Sequence, residues 1–488
     1  MTQSPESNVK PLEYTPSDHD VGIVHLGIGA FHRAHQAAYT DRVLAEIGGD
    51  WRITGVSLRS TQVADALNAQ DGRYWLVTRS DQQGGAPEFR EIGSVANVLA
   101  NQYGTAPIID ALVNSKTCVV SLTITEKAYG VDVATGNLNP GDPQISHDLS
   151  DPENPTGAIG LIVHALKLRR AADVPPFTVM SCDNLPHNGA IVRAAVVEFA
   201  KRVDPDLAVW ISENVTFPAT MVDRITPAST DALLQEVEQA VGACDNAAVE
   251  TEPFCQWVIQ DDFCNARPEW ERVGALLVQD VEPYEKMKLR MLNGTHSMLA
   301  YAGYLSGCRY VRDVMAEPDL AVLVEAHMKA ASATLAPLEG LDFASYTQEL
   351  LRRFRNPNIA HETYQIAMDG SQKMPQRIFE PALDAQNSGA DTRAFAFATA
   401  SWLRYTSGKL DYGESFALRD PREAELLAAN AKGDESAEGI VAAVFALPNL
   451  VPAALAEGEF AENLRQYLDE IMHNGIKSAI FFAAKQVK

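Results

Sequence analysis

At 488 residues the chain exceeds the size at which a single hydrophobic core stops growing, so its length calls for two domains. Hydrophobic residues make up 46% and charged residues 21%, which is ordinary globular composition and argues against a disordered chain or a fibre. A formal net charge of −24 sets an acidic surface against nucleic-acid phosphates, yet a few Arg or Lys side chains could still reverse the field inside one cleft.

The opening stretch, MTQSPESNVKPLEYTPSDHD, has no basic segment leading into an apolar one, as a secretory signal would. No run approaches the roughly 18 apolar residues of a membrane helix, so no membrane partner is expected. Cys118, Cys182, Cys244, Cys255, Cys264 and Cys308 form no CxxC pair and are too sparse for a disulfide scaffold. Free thiols in a reducing compartment are the plain reading, and the cytoplasm is the expected location.

In chain order, the first apolar run is VGIVHLGI (Val21–Ile28). It leads directly into Gly27, Ile28, Gly29, Ala30 and Phe31, then His32 and Arg33. Two glycines one residue apart, after a strand and before a helix, let the backbone approach a pyrophosphate near free N–H groups. His32 stands where the third glycine of GxGxxG is expected, so the motif alone also fits an unliganded turn. AHQAAYTDRVLAEI follows as a helix, then the run WRITGVSL (Trp51–Leu58). A dinucleotide fingerprint expects an acid at the end of that strand to bind the ribose. Here Arg59 stands instead, suited to a 2′-phosphate, to stacking on adenine, or to solvent, which leaves NADP open beside NAD.

The next run, TCVVSLTIT (Thr117–Thr125), ends at Thr125 and Glu126, where cofactor loops gather at the carboxyl ends of α/β strands. Glu126 equally suits the cap of a following helix. The helical stretch GAIGLIVHALKLRRAA and the run FTVMSCD (Phe177–Asp183) complete a βαβ alternation. Continuous apolar strands of this kind are covered on both faces, as in parallel sheets. The fold class is therefore α/β, a Rossmann-type doubly wound N-terminal domain over residues 1–283, followed by a mainly α-helical domain over 284–488. In the second part PYEKMKLRMLNGTHSMLAYAGYL, LAVLVEAHMKAASATL and SYTQELLRRF all carry apolar residues at helical spacing.

The helix opening that second part carries Lys288, Asn293 and His296. At 3.6 residues per turn Asn293 sits roughly 140° and His296 roughly 80° from Lys288. All three reach one cleft if Gly294 loosens the helix. Alcohol oxidation needs a base for the hydroxyl proton, and a lysine serves when burial or nearby cations favour its neutral form. An asparagine amide can donate to the developing oxygen. Spacing alone equally fits a solvated lysine and an ordinary helical histidine.

The segments GIGAFHRAHQAAYTD, VVSLTITEKAYG, FTVMSCDNLPHNG, FPATMVDRITP, EPFCQWVIQDDF and KLRMLNGTHS resemble the mannitol dehydrogenase family, in order and over most of the chain. This family of polyol-specific long-chain dehydrogenases includes mannitol 2-dehydrogenase and fructuronate (mannonate) reductase. The resemblance implies a Rossmann-type domain, a helical domain and an active site between them without a metal. It further implies NAD as cofactor, Lys288 as base, and Asn184 with Asn293 polarising the reacting oxygen. His296 would position substrate, and Asp223 would contact cofactor or substrate. Glu285 would modulate or relay the lysine's proton, or form an exposed ion pair. Members are often monomeric, so a monomer with a small-molecule partner is expected.

The stretch NPNIAHETYQIAMDGSQKMPQR holds His361, Lys373 and Arg377 and looks more like the fructuronate reductases. Mannitol enzymes tend to carry an arginine where Gln365 stands. Arg377 and Lys373 would bind a C1 carboxylate by charge-assisted hydrogen bonds, unless Asp369 or Glu380 pairs with them structurally. NLPHNG resembles the mannitol enzymes instead, so mannitol/fructose stays close behind mannonate/fructuronate. Two rivals remain. A non-catalytic nucleotide sensor would be expected to lose Lys288 or Asn293, and a zinc alcohol dehydrogenase would need more ligands than Cys182, Asp183 and His187.

Overall fold

The structure is a computed structural model that describes residues 8–82, 84–132, 137–338, 341–433 and 436–487. The chain forms two compact units, Met1–Ser80 with Gly84–Glu282, and Asp81–Gln83 with Pro283–Lys488.

In the first unit a parallel five-stranded sheet has the spatial order Val95–Ala100, Arg52–Ser57, Val21–Leu26, Val119–Leu122, Thr178–Ser181. Numbered along the chain this is 3-2-1-4-5, the strand order of a doubly wound dinucleotide fold. Four of the strands coincide with the continuous apolar runs. Every residue of Val119–Leu122 and Thr178–Ser181 is buried, which is why those runs lack polar alternation. The edge strand Val95–Ala100 mixes buried, half-buried and exposed positions, and Asn97 interrupts its apolar run. Strand order reverses between Val21–Leu26 and Val119–Leu122, so the loops after these two strands border the crevice where such sheets bind ligands.

Helix Ala158–Ala171 packs in the core beside this sheet. Its entry is held by the buried carboxylate of Asp148, which accepts the N–H groups of Thr156 and Gly157 at 2.9 and 2.8 Å. The stretch that reads as a helix after the glycine loop forms the helix Gln36–Glu46, and a separate short helix, Ala30–Ala34, precedes it. They are broken at His35, which has φ −120° and ψ −87° and whose Nε2 meets the Gln256 carbonyl at 2.9 Å. That tertiary bond overrides the periodicity. Two smaller sheets complete the unit. One is built on the antiparallel pair Tyr74–Thr78 and Glu88–Ile92, and the other joins Thr220–Asp223, Gln256–Gln260 and Leu276–Val278.

The second unit is helical. Thr295–Ser306 is buried on nearly every face and packs against Arg393–Tyr405 and Pro318–Ser332. Between Glu282–Met287 and this helix, residues Lys288–Gly294 form a π-helical turn, in which hydrogen bonds close over five residues in place of four. A second π turn, Pro375–Phe379, lies between Gly370–Met374 and Glu380–Ser388. Pro375 supplies a cause, since it offers no N–H and its ring crowds the carbonyl four residues back.

The two π turns pack together. A Cβ on Gly294 would lie only 2.7 Å from the Arg377 carbonyl oxygen, so glycine is required there for close approach, not for its φ of −63°. Arg290 ties the first π turn to the helix Glu380–Ser388 and to the end of Pro318–Ser332. Its buried guanidinium donates to Asp384 at 2.6 Å and to Thr334 Oγ1 and O at 2.8 and 3.0 Å. No helix among the described residues is long and apolar enough to cross a membrane.

Candidate active site

The glycine loop of the first unit is held by its backbone. Gly27 has φ +98°, and a Cβ there would collide with the Thr123 carbonyl oxygen at 2.1 Å. Its N–H donates to the Val56 carbonyl at 2.8 Å, and its own carbonyl accepts from the Gly29 N–H at 2.7 Å. Ile28 is buried against Gly55. Gly29 is different: it is exposed, and a Cβ on it would find nothing nearer than 3.9 Å. The fold demands Gly27, but nothing in the protein demands Gly29, and the open space beside it fits a ligand approaching the backbone. Ala30 and Phe31 begin the short helix, with the Phe31 ring stacked on His35 at 5.1 Å. Arg59 is exposed after its strand, and its carbonyl accepts from Gln102 at 2.8 Å.

Across the strand-order reversal, Thr125 adopts φ +72°, a left-handed conformation that is strained for a β-branched residue. Asp183 holds it there. One carboxylate oxygen accepts the Thr125 N–H and the other the Ile124 N–H, both at 2.9 Å, and Tyr129 Oη donates at 2.7 Å. Burial raises the Asp183 pKa, and these three donors oppose the rise. Asp183 immediately precedes Asn184, which is exposed. Sequence reading missed this role and met Asp183 only as a conceivable zinc ligand; its chain position beside Asn184 was the one available clue. The Glu126 side chain lies outside the described residues. Asp223 is buried at the end of Thr220–Asp223 and is paired through its backbone with Gln256.

In the second unit Lys288 is 7% exposed and heads the first π turn. An α-helix would set Asn293 roughly 140° from Lys288. A π turn, closing over five residues, brings positions five apart toward one face. The expected loosening at Gly294 is thus a π turn spanning the whole segment between the two side chains. One turn later His296 is 8% exposed, and its Nε2 has no hydrogen-bond partner among the described residues. Its ring lies 4.5 Å from Phe354 and 5.2 Å, edge-on, from His361. Burial pushes its pKa well down, helped by the neighbouring His361 ring and by Arg353, Arg377 and Lys288. In a chain of net charge −24, Arg353, Arg377 and Lys288 gather around this ring.

Lys373 and Arg377 differ in what they touch. Lys373 donates to the carbonyls of Met368 and Ile366 at 2.6 and 3.3 Å and lies 3.9 Å from Asp369, so its ammonium group is largely engaged. Arg377 makes only long contacts, 3.4 Å to the Asn293 carbonyl and 3.3 Å to Ser297 Oγ. No carboxylate among the described residues pairs with it. Burial brings its pKa down to about 10, which leaves it charged at neutral pH.

The mannitol dehydrogenase Rossmann domain matches residues 21–272, and the mannitol dehydrogenase C-terminal domain matches residues 280–470. D-mannonate oxidoreductase of Escherichia coli (strain K12) is 44% identical over 88% of this chain and 90% of its own length. Mannitol 2-dehydrogenase of Aspergillus fumigatus is 37% identical over 94% of the chain and 92% of its length. The solved ternary complex of Pseudomonas fluorescens mannitol 2-dehydrogenase with NAD and D-mannitol is 37% identical, with a TM-score of 0.81 over 98% of this chain and 97% of that one. The chain belongs to the mannitol dehydrogenase family and is an oxidoreductase of the polyol and aldonate dehydrogenase class.

Proposed function

We propose that this enzyme interconverts a secondary alcohol of an aldonate with the corresponding keto sugar acid, D-mannonate with D-fructuronate, at the carbon that is C2 in the numbering of the keto sugar, using NAD. The single observation that carries the substrate reading is Arg377, a buried cation with only two long hydrogen bonds and no carboxylate partner among the described residues. A substrate carboxylate would satisfy it through charge-assisted bonds, whereas a polyol end needs no such charge. The open space at Gly29, after a parallel strand at the strand-order reversal, fits a dinucleotide. When bound, that cofactor accepts or supplies the hydride at C2. Its residues here would be Gly27, Ile28, Gly29, Ala30, Phe31, Arg59, Thr125, Glu126 and Asp223.

Lys288 takes the proton from the C2 hydroxyl. Asn184 and Asn293 donate amide N–H groups to the same oxygen, which stabilises its anionic character without a further change of protonation. His296 accepts or donates at a neighbouring hydroxyl through its unpartnered Nε2. His361, edge-on to His296, and Lys373 border the part of the substrate that Arg377 binds. A second reading, mannitol/fructose, is favoured by the likeness to the solved enzyme with D-mannitol.

A spectrophotometric assay with NAD and NADP across mannonate, altronate, mannitol, arabinitol and sorbitol tests both. Mannonate should give the highest kcat/KM. Arg377→Ala should cut it by roughly 10- to 100-fold, the worth of a charged hydrogen bond, while changing slow mannitol turnover little. Equal losses on the two substrates would remove the case for a carboxylate.

A further inference from the structure

We propose that Ser121, His25 and Thr123 form a directed hydrogen-bond chain that fixes the Gly27 carbonyl, making His25 and Thr123 positioning residues for the dinucleotide. The direction follows from counting protons. Thr123 Oγ1 lies 2.7 Å from the Gly27 carbonyl, which can only accept, so the hydroxyl's one proton points there. Its 2.8 Å contact with His25 Nε2 must then be one in which it accepts, so Nε2 carries the ring proton. Nδ1 is therefore bare and accepts from Ser121 Oγ at 2.7 Å. One neutral tautomer satisfies every member.

The surroundings hold that tautomer. His25 is 0% exposed, and its ring lies flat on His32 at 3.4 Å. Burial brings its pKa down to about 3, so it stays neutral across any working pH. The chain ends at the residue where the loop turns into the positive φ region. Its carbonyl faces inward, taking both the Thr123 hydroxyl and the Gly29 N–H at 2.7 Å. An outward carbonyl would set a negative dipole end against a pyrophosphate. Neither His25 nor Thr123 meets the ligand; they act by keeping that oxygen turned away from it.

The inference rests on the dinucleotide reading of this loop, and the test separates the two. NADH and NADPH are titrated into the full chain and followed by protein fluorescence, with KM and kcat measured alongside. Thr123→Val keeps the shape and removes both hydrogen bonds, whereas Thr123→Ser keeps the hydroxyl. The valine variant should bind the preferred dinucleotide about tenfold more weakly, the loss of one to two hydrogen bonds. Its KM for dinucleotide should rise while kcat at saturation holds. The serine variant should bind within about threefold of wild type. A valine variant that binds normally, or a serine variant as weak as the valine, overturns the proposal. If Thr123→Val does not fold, Ser121→Ala carries the test: unchanged dinucleotide affinity overturns the chain, and a loss of several-fold supports it. A wild-type protein that binds neither dinucleotide overturns the cofactor reading and the proposal with it.

Discussion

Replacing Gly294 by alanine sets two physical rules against each other. In a helix interior, alanine is favoured over glycine by about 0.8–1 kcal/mol, so propensity alone says the variant should be more stable. Geometry says the reverse. The new Cβ would lie 2.7 Å from the Arg377 carbonyl oxygen, and an ordinary contact begins near 3.4 Å, so the two π turns must part by about 0.7 Å. The obstacle is backbone, and the His327 ring at 3.2 Å blocks sideways escape. Overpacking of this kind costs about 1–3 kcal/mol, leaving a net destabilisation of roughly 1 kcal/mol. A shift of that size lowers Tm by about 2–4 °C in a unit of this length. The parting also separates Asn293 from Arg377, and a misplacement near 1 Å costs up to about 10²-fold in rate. We expect Gly294→Ala to melt earlier and to lose roughly 10- to 100-fold in kcat/KM. Stabilisation by about 1 kcal/mol with normal turnover would refute the close-approach argument and leave propensity as the whole story.

Two further outcomes are expected. Lys288→Ala should lower kcat by about 10²–10⁴-fold, the range of a lost general base, with dinucleotide affinity unchanged; near-normal turnover in steady-state assays would remove Lys288 as the base. Stability should fall in acid because His327 is fully buried and burial brings its pKa down to about 3. The unfolded chain, with an ordinary histidine near 6.5, binds protons first, so this contribution is complete above about pH 6.5 and is lost progressively toward pH 3. Between pH 6.5 and 5 it amounts to about 2 kcal/mol, which denaturant unfolding of wild type and His327→Gln at the two pH values should resolve as a weaker pH slope in the variant. An identical slope in both would show that His327 does not govern it.

Much of the fold is legible because burial writes itself into composition. Strands covered on both faces, such as Val119–Leu122 and Thr178–Ser181, must be continuously apolar, and the sequence shows them so. The edge strand Val95–Ala100, interrupted by the exposed Asn97, carries a fainter signal. The break at His35 is invisible locally because it answers to a carbonyl 221 residues away. In the candidate site, Lys288, Asn293 and His296 are recognisable as a set by family resemblance, but reading them at 3.6 residues per turn leaves Asn293 facing away. The π turn that changes this has no compositional mark of its own: it depends on packing against Pro375–Phe379, nearly ninety residues on. Asp183 went unread for the same reason, since its amide partners belong to another strand's exit.

The π turns also bear on how this sequence can change in length. Each holds one residue more than the α turn it replaces, so each amounts to an insertion retained inside a helix. Deleting a single residue between Lys288 and Asn293 would therefore let the segment wind as an ordinary α-helix with its two flanks still in phase. Lys288 would then stand four positions before Asn293 and seven before His296, within roughly 40° of both on one face. What the deletion would remove is the widened turn against which Pro375–Phe379 packs, so the shortened segment would keep its polar face and lose its partner's seat.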